Sequence, residues 1–298
     1  MFSTGKAAAC RRLLQCVVVF SAVSLSSSCV VSGTATPAAP TVTVNSDDPR
    51  HPGLSIVLPD SLAADFTRLQ SALPGQVGMA LMPVGGGRMT IYGDWTSGIA
   101  WSTIKVPLAV AALRHEQNQS IFEMVRAAIT VSDNDAAYGL WTSLGDGPEA
   151  ADAVQRVLDE AGEASTGTAV RHTEMNATSF GSTEWSLADQ VRFASRLPCL
   201  PYTEVVTALM GQIDPDQGWG LGLLDGAEFK GGWGPDDDTG VYTVRQFGLV
   251  PVGSGQLAVA LAAQADSGAF EDTTALLDRM ALLLDRHLPE LRGGVCPR

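Results

Sequence analysis

The chain has 298 residues, 45% hydrophobic and 17% charged, and its 32 acidic residues outnumber 19 basic ones for a formal charge of −13. That balance suits a soluble globular domain and excludes disordered, collagen-like and multi-span membrane chains. No nucleic-acid partner is expected, because phosphate binding is driven by clustered Lys and Arg.

Lys6, Arg11 and Arg12 precede an apolar run from Leu13 to Leu25, followed by three serines and Cys29. This is the layout of a secretory signal, expected over residues 1–28. Small residues ahead of a cysteine point to a lipoprotein signal, with Cys29 lipidated and a lipid anchor holding the protein at the outer face of the cell membrane. Ser26 stands where an aliphatic residue is usual, so plain secretion is the alternative. The apolar run is too short, and too broken by Gln15 and two serines, for a transmembrane anchor. Residues 29–55, rich in Thr, Pro, Ala and Asp, read as a flexible tether, and 56–298 as the folded domain. Export implies an oxidising compartment, where Cys199 and Cys296 either pair or stay as two buried thiols.

Leu62, Phe66, Leu69 and Leu73 recur at helical spacing and predict an amphipathic helix over 62–73. The β-rich runs Gln76 to Pro83 and Met89 to Trp95 flank Gly85-Gly86-Gly87 as a hairpin. Ser102 to Leu113 is apolar nearly all round, as expected of a helix at the centre of a domain. Ser120 and Glu123 form a capping-box pattern opening a helix to Ile129. Further helices are expected after Asn134, over Pro148 to Ala161, and after a cap at Thr183, with Leu187, Val191 and Ala194 inward. Ala227 to Trp233, Val241 to Val250 and Gln256 to Ala263 return to a period of two. Leu276, Leu277, Met280, Leu283 and Leu284 mark a terminal helix. The fold class expected is α+β: one antiparallel sheet flanked by terminal helices, facing an all-helical lobe across a cleft.

Only three of the basic residues are lysines: Lys6, Lys105 and Lys230. Arg keeps its proton at working pH, whereas a buried Lys can be tuned to act as a base or proton relay. Ser102 precedes Lys105 by three residues, which on a helix puts both side chains on one face, where an amine can take a hydroxyl proton and the helix N-terminus can face an oxyanion. Ser132-Asp133-Asn134 follows between two predicted helices, and Lys230-Gly231-Gly232 lies on a predicted strand.

These three signals, in this order on helix, loop and strand, resemble the motif set of class A β-lactamases and penicillin-binding D,D-peptidases. The likeness covers roughly residues 60 to 290 and is densest in AWSTIKVPLAVAAL, FEMVRAAITVSDNDAAYGLWTSLG and TVRQFGLVPVGSGQLAVALAAQ. It implies Ser102 as the nucleophile acylated by a β-lactam or a peptidyl-D-alanine carbonyl of peptidoglycan, Lys105 as its proton partner, and Ser132 as relay to the leaving nitrogen. It implies Lys230 as a catalytic residue supplying positive charge to the ligand carboxylate and to the Ser132 hydroxyl, and ligand contacts from Asn134, Gly232, Trp233 and Arg245, with Thr243 a rival for the last position. The oxyanion would sit on the Ser102 and Trp233 N–H groups.

Two departures qualify that picture. Gly231 replaces the usual Thr or Ser that contacts the ligand carboxylate, and bulky Trp233 replaces a small residue. The stretch that should supply a deacylating Glu is shortened, leaving Glu174 as the nearest carboxylate, so slow deacylation is expected. The rival reading is an inactive pseudoenzyme that binds cell-wall peptide or a protein partner. The four histidines show no metal spacing, with His115 and His287 read as helix-surface residues, and neither metal nor cofactor is expected. Trp219 and Asp236 to Asp238 read as cleft-flanking loops, or alternatively as core packing and a solvated turn.

Overall fold

The computed structural model describes residues 61–145, 147–162 and 179–297. The segments expected as signal and tether, with Cys29, and Glu174 lie outside the described residues.

Five strands form one antiparallel sheet in the order β2-β1-β7-β6-β5: β1 (Gly75–Pro83), β2 (Thr90–Gly93), β5 (Glu228–Pro235), β6 (Tyr242–Val252) and β7 (Gly255–Ala265). The early strand β1 pairs along its length with the late β7, so both parts of the chain build the same sheet. A separate two-stranded ribbon pairs β3 (Ser97–Ile99) with β4 (Glu184–Ser186). The α+β architecture is the one expected from the sequence, with helices on both sheet faces.

The period of two explains the layering, because alternate residues of a strand face opposite sides. Leu257, Val259, Leu261 and Ala263 of β7 face the core shared with α1 (Leu62–Gln70) and α8 (Phe270–His287). Ala258, Ala260 and Ala262 face the other core, where their small side chains let α6 (Leu187–Arg196) approach closely. Trp185, Phe193 and Phe247 meet edge-on there, with ring centroids 5.6–5.7 Å apart.

The helical lobe contains α2 (Lys105–His115), α3 (Gln119–Thr130), α4 (Asn134–Ser143), α5 (Gly147–Glu160) and α7 (Glu204–Met210). Every residue of α2 from Lys105 to Leu113 is buried, as its uniformly apolar sequence demands. Pro107 falls in the first turn, where no intrahelical N–H is required. A disulfide joins Cys199 and Cys296.

Three local expectations are corrected. Helix α3 is capped by Asn118, whose side chain accepts from Ile121 N at 2.9 Å, and Ser120 lies inside the helix. Thr183 does not cap α6: residues 184–186 pair as a strand, and Ser186 accepts from Asp189 N at 3.0 Å. His287 is not a surface residue but 5% exposed, with its ring nitrogens 2.8 Å from Asp65 Oδ2 and 3.2 Å from Glu290 Oε2. The side chain contacts that bury it come from α1, a partner that periodicity within α8 cannot reveal.

Candidate active site

The three motif segments converge. Ser102 lies in a 3-10 turn, Trp101–Ile104, that leads directly into α2 and so carries Lys105 into the helical core. Trp101 enters this turn with φ +49°, and Ser132 holds φ +59°. Left-handed backbone is costly for residues with a Cβ and persists where surrounding structure imposes it, often at functional sites. Asp133 caps α4 through Ala136 N at 2.7 Å and thereby fixes the loop that presents Ser132 and Asn134.

Lys230, on β5, reaches that loop. Its Nζ donates to Ser132 Oγ at 3.0 Å and to Gly231 O at 2.8 Å. Lys105 Nζ donates to the same Ser132 Oγ at 3.3 Å, to Ser132 O at 2.6 Å and to Asn134 Oδ1 at 2.6 Å. Both amines are buried, at 1% exposure for Lys105 and 0% for Lys230. Burial pushes the Lys105 ammonium down to about 8 against the opposing pull of Asp133. Lys230 is held well below the ordinary lysine value by burial first and by the neighbouring Lys105 charge second.

β5 also passes against the Ser102 turn. A Cβ at Gly232 would lie 2.8 Å from Ser102 N, 2.8 Å from Thr103 N and 2.9 Å from Ala100 O. Glycine is what permits this approach, which brings the strand carrying Lys230 and Trp233 alongside the Ser102 backbone.

One expected contact is not made. Among the described residues Ser102 Oγ has no hydrogen-bond partner, and Lys105 does not bond it. An ammonium has three N–H donors, and here all three go to Ser132 and Asn134.

Arg245 requires a correction. It is 0% exposed and faces the α6 side of the sheet rather than a ligand. Its Nη1 donates to Gly98 O at 2.8 Å and Ile99 O at 3.1 Å, and its Nη2 to Trp185 O at 3.0 Å and Gln190 Oε1 at 2.9 Å. The guanidinium carbon lies 5.1 Å from the centroid of the Trp95 ring. Gln190, in turn, donates to Thr103 Oγ1 at 3.0 Å, beside Ser102. Arg245 thus ties β6 to the β3–β4 ribbon and to the turn. Sequence reasoning missed Gln190 and Thr103, although a buried glutamine at an inward helical position was the available signal.

Trp219 is half-buried and packs against Trp233 and Phe270, so core packing is the better of its two readings. Asp236 ties its own turn, accepting from Asp238 N and Thr239 N, as a solvated turn does. A cavity of about 410 Å³ adjoins the turn at Trp101 and is lined by Asp94, Ser97, Glu184 and Thr243 among others, but not by the two lysines. Among the described residues no cluster of His, Cys, Asp or Glu could hold a metal ion, and no helix is long and apolar enough to cross a membrane.

No family model matches the chain, and no curated protein matches it. Solved structures do. The TLA-1 extended-spectrum β-lactamase superposes with a TM-score of 0.60 at 15% identity, covering 77% of this chain and 98% of that one. The chromosome-encoded β-lactamase of Vibrio parahaemolyticus gives 0.58 at 14% identity over 78% of this chain and 100% of that one. A class A β-lactamase from Mycobacterium abscessus gives 0.58 at 15% identity over 76% and 98%. Identity at this level speaks for architecture alone, and the architecture is that of the class A β-lactamases.

Proposed function

We propose that this chain is an exported, lipid-anchored serine hydrolase that forms an acyl-enzyme with β-lactams or D-alanyl peptides of the cell wall. The observation that carries the reading is the meeting of Lys105 and Lys230 on Ser132 while β5 lies against the Ser102 backbone. Two buried amines on one hydroxyl are costly to assemble for stability alone, and they suit proton transfer.

In this reading Ser102 Oγ attacks the ligand carbonyl carbon and gives its proton to the Lys105 amine, which must first release one of its present acceptors. The oxyanion is held by the N–H groups of Ser102 and Trp233. As the C–N bond breaks, Ser132 protonates the leaving nitrogen and is reprotonated from Lys105, so one proton passes in total from Ser102 to the leaving group. When both amines donate to Ser132 Oγ its lone pairs are occupied, which leaves its own O–H free to point at the ligand. Asn134 turns its Oδ1 to Lys105, and its NH₂ is thereby left for a carbonyl on the acyl side of the ligand. Glu174 is the proposed water-activating base, with slow release of the acyl group.

The test is incubation with a fluorescent penicillin followed by intact-mass measurement, with Ser102→Ala as control. A covalent adduct that depends on Ser102 supports the enzyme. One observation favours a binding-only pseudoenzyme: Lys105 spends its donors away from Ser102. A folded protein that forms no adduct would overturn the acyl-enzyme reading and support the second.

A further inference from the structure

Helix α6 packs a largely apolar face on the sheet, with Leu187, Val191 and Ala194 buried, and among them stands Gln190 at 0% exposure. A primary amide is costly to bury unless both of its ends are hydrogen-bonded. Here both are used. Gln190 Oε1 accepts from Arg245 Nη2 at 2.9 Å and from Arg245 Nε at 3.3 Å, and Gln190 Nε2 donates to Thr103 Oγ1 at 3.0 Å. Thr103 Oγ1 in turn donates to Ala100 O at 2.5 Å. Arg245 and Thr103 are as fully buried as the amide between them.

The direction of every link is forced. A guanidinium carries donors only, so the amide must turn its carbonyl to Arg245 and its NH₂ to Thr103. Thr103 then receives a proton from the amide and keeps one of its own, which goes to a backbone carbonyl that can only accept. The chain therefore runs one way, from Arg245 through Gln190 and Thr103 to Ala100 O, and ends at the turn that carries Ser102.

Ala100 O takes a second bond from Thr103 N at 3.2 Å, while Ala100 N donates to Thr183 O at 2.8 Å, so the peptide groups on both sides of residue 100 are held. The next residue is Trp101, at φ +49°, a backbone state that surrounding structure must impose. Gly232 pairs with Arg245 across β5 and β6, and a Cβ on it would meet both Ala100 O and Ser102 N. The carbonyl that the chain fixes and the N–H offered to an oxyanion thus lie against the same glycine.

We infer that Gln190 is a positioning residue for the Ser102 turn. By donating to Thr103 it commits the Thr103 hydroxyl to Ala100 O, which keeps Trp101 in its left-handed state and the Ser102 N–H alongside β5. The inference rests on the acyl-enzyme reading above and adds to that site a residue that touches no ligand.

Gln190→Glu tests it with almost no change of shape. The carboxylate still accepts from Arg245, whose charge keeps it ionised, but it has no N–H for Thr103. The Thr103 proton then turns back to the carboxylate, and Ala100 O loses it. With a fluorescent penicillin the first-order acylation step is expected to fall about tenfold to hundredfold, short of the about 10²- to 10³-fold loss of a direct oxyanion donor. The half-saturating concentration should not move. Thr103→Val should give the same loss and the double variant no more, whereas Thr103→Ser keeps the hydroxyl and should keep most of the rate. A folded Gln190→Glu protein that acylates at the wild-type rate, or whose loss lies wholly in the half-saturating concentration, overturns the inference and leaves Ser102 in place. If Gln190→Glu does not fold, Thr103→Val and Thr103→Ser decide, and equal acylation steps in the two overturn it. A wild-type protein that forms no adduct overturns the acyl-enzyme reading, and the inference falls with it.

Discussion

Lys105 and Lys230 hold the same atom: Ser132 Oγ lies 3.3 Å from one amine and 3.0 Å from the other. Removing that hydroxyl leaves two buried amines without their shared acceptor. Ser132→Ala is therefore expected to lower the acylation rate by about 10²- to 10⁴-fold, the range for a lost proton-transfer group. Its cost in unfolding free energy should be about 1–3 kcal/mol. Adduct kinetics and a denaturant titration separate the two effects.

Acylation should depend on pH through Lys105. The amine accepts the Ser102 proton only when unprotonated, and burial places its midpoint at about 8. The rate is expected to rise with pH through that midpoint and to fall about tenfold per pH unit well below it. Lys105→Arg keeps a cation that cannot deprotonate and should abolish the adduct at every pH tested. A profile flat from about pH 6 to 9 would remove Lys105 from the proton path.

Gly232→Ala should disable the site without touching a side chain that does chemistry. The added methyl would meet only backbone atoms, Ser102 N, Thr103 N and Ala100 O, all within 2.9 Å. Neither side can yield as a flexible side chain does, so strand and turn must separate. The expected outcome is loss of the Ser102 adduct with about 1–3 kcal/mol of destabilisation, read by intact mass and thermal melting.

Arg245→Met should act on stability. It would remove the Arg245 bonds to the buried Trp185 carbonyl and to the half-buried carbonyls of Gly98 and Ile99. Each such group costs about 1–3 kcal/mol, so urea denaturation should report a loss of several kcal/mol or failure to fold. Arg245→Lys supplies fewer donors and should recover only part of it. A stable Arg245→Met protein with weakened ligand affinity would return this residue to the cleft.

The disulfide between Cys199 and Cys296 spans a sequence separation of 97. By chain entropy a closed loop of that length is worth about 4–5 kcal/mol. Reduction, or a Cys296→Ser variant, should lower the denaturation midpoint, and thiol titration of the folded protein before reduction should find neither cysteine.

The amino-acid order alone was sufficient for the buried helix behind Ser102 and the period-two strands, which are written in local periodicity. That Lys230 would serve the Ser132 hydroxyl was implied only by the resemblance to class A β-lactamases, not by periodicity or composition. Which acceptor a side chain takes was not legible there. Whether Lys105 bonds Ser102 or Asn134 depends on how the loop before α4 is held, and by φ/ψ that sequence does not state. Arg245 was placed by the resemblance alone, yet the face it occupies is set by register against Gly232 and by ribbon carbonyls 147, 146 and 60 residues upstream. His287 was hidden by α1 for the same reason. Hydrophobic patterning is additive along the chain, whereas hydrogen-bond partners of buried polar groups are chosen by the whole packing, and only the tertiary structure decided them.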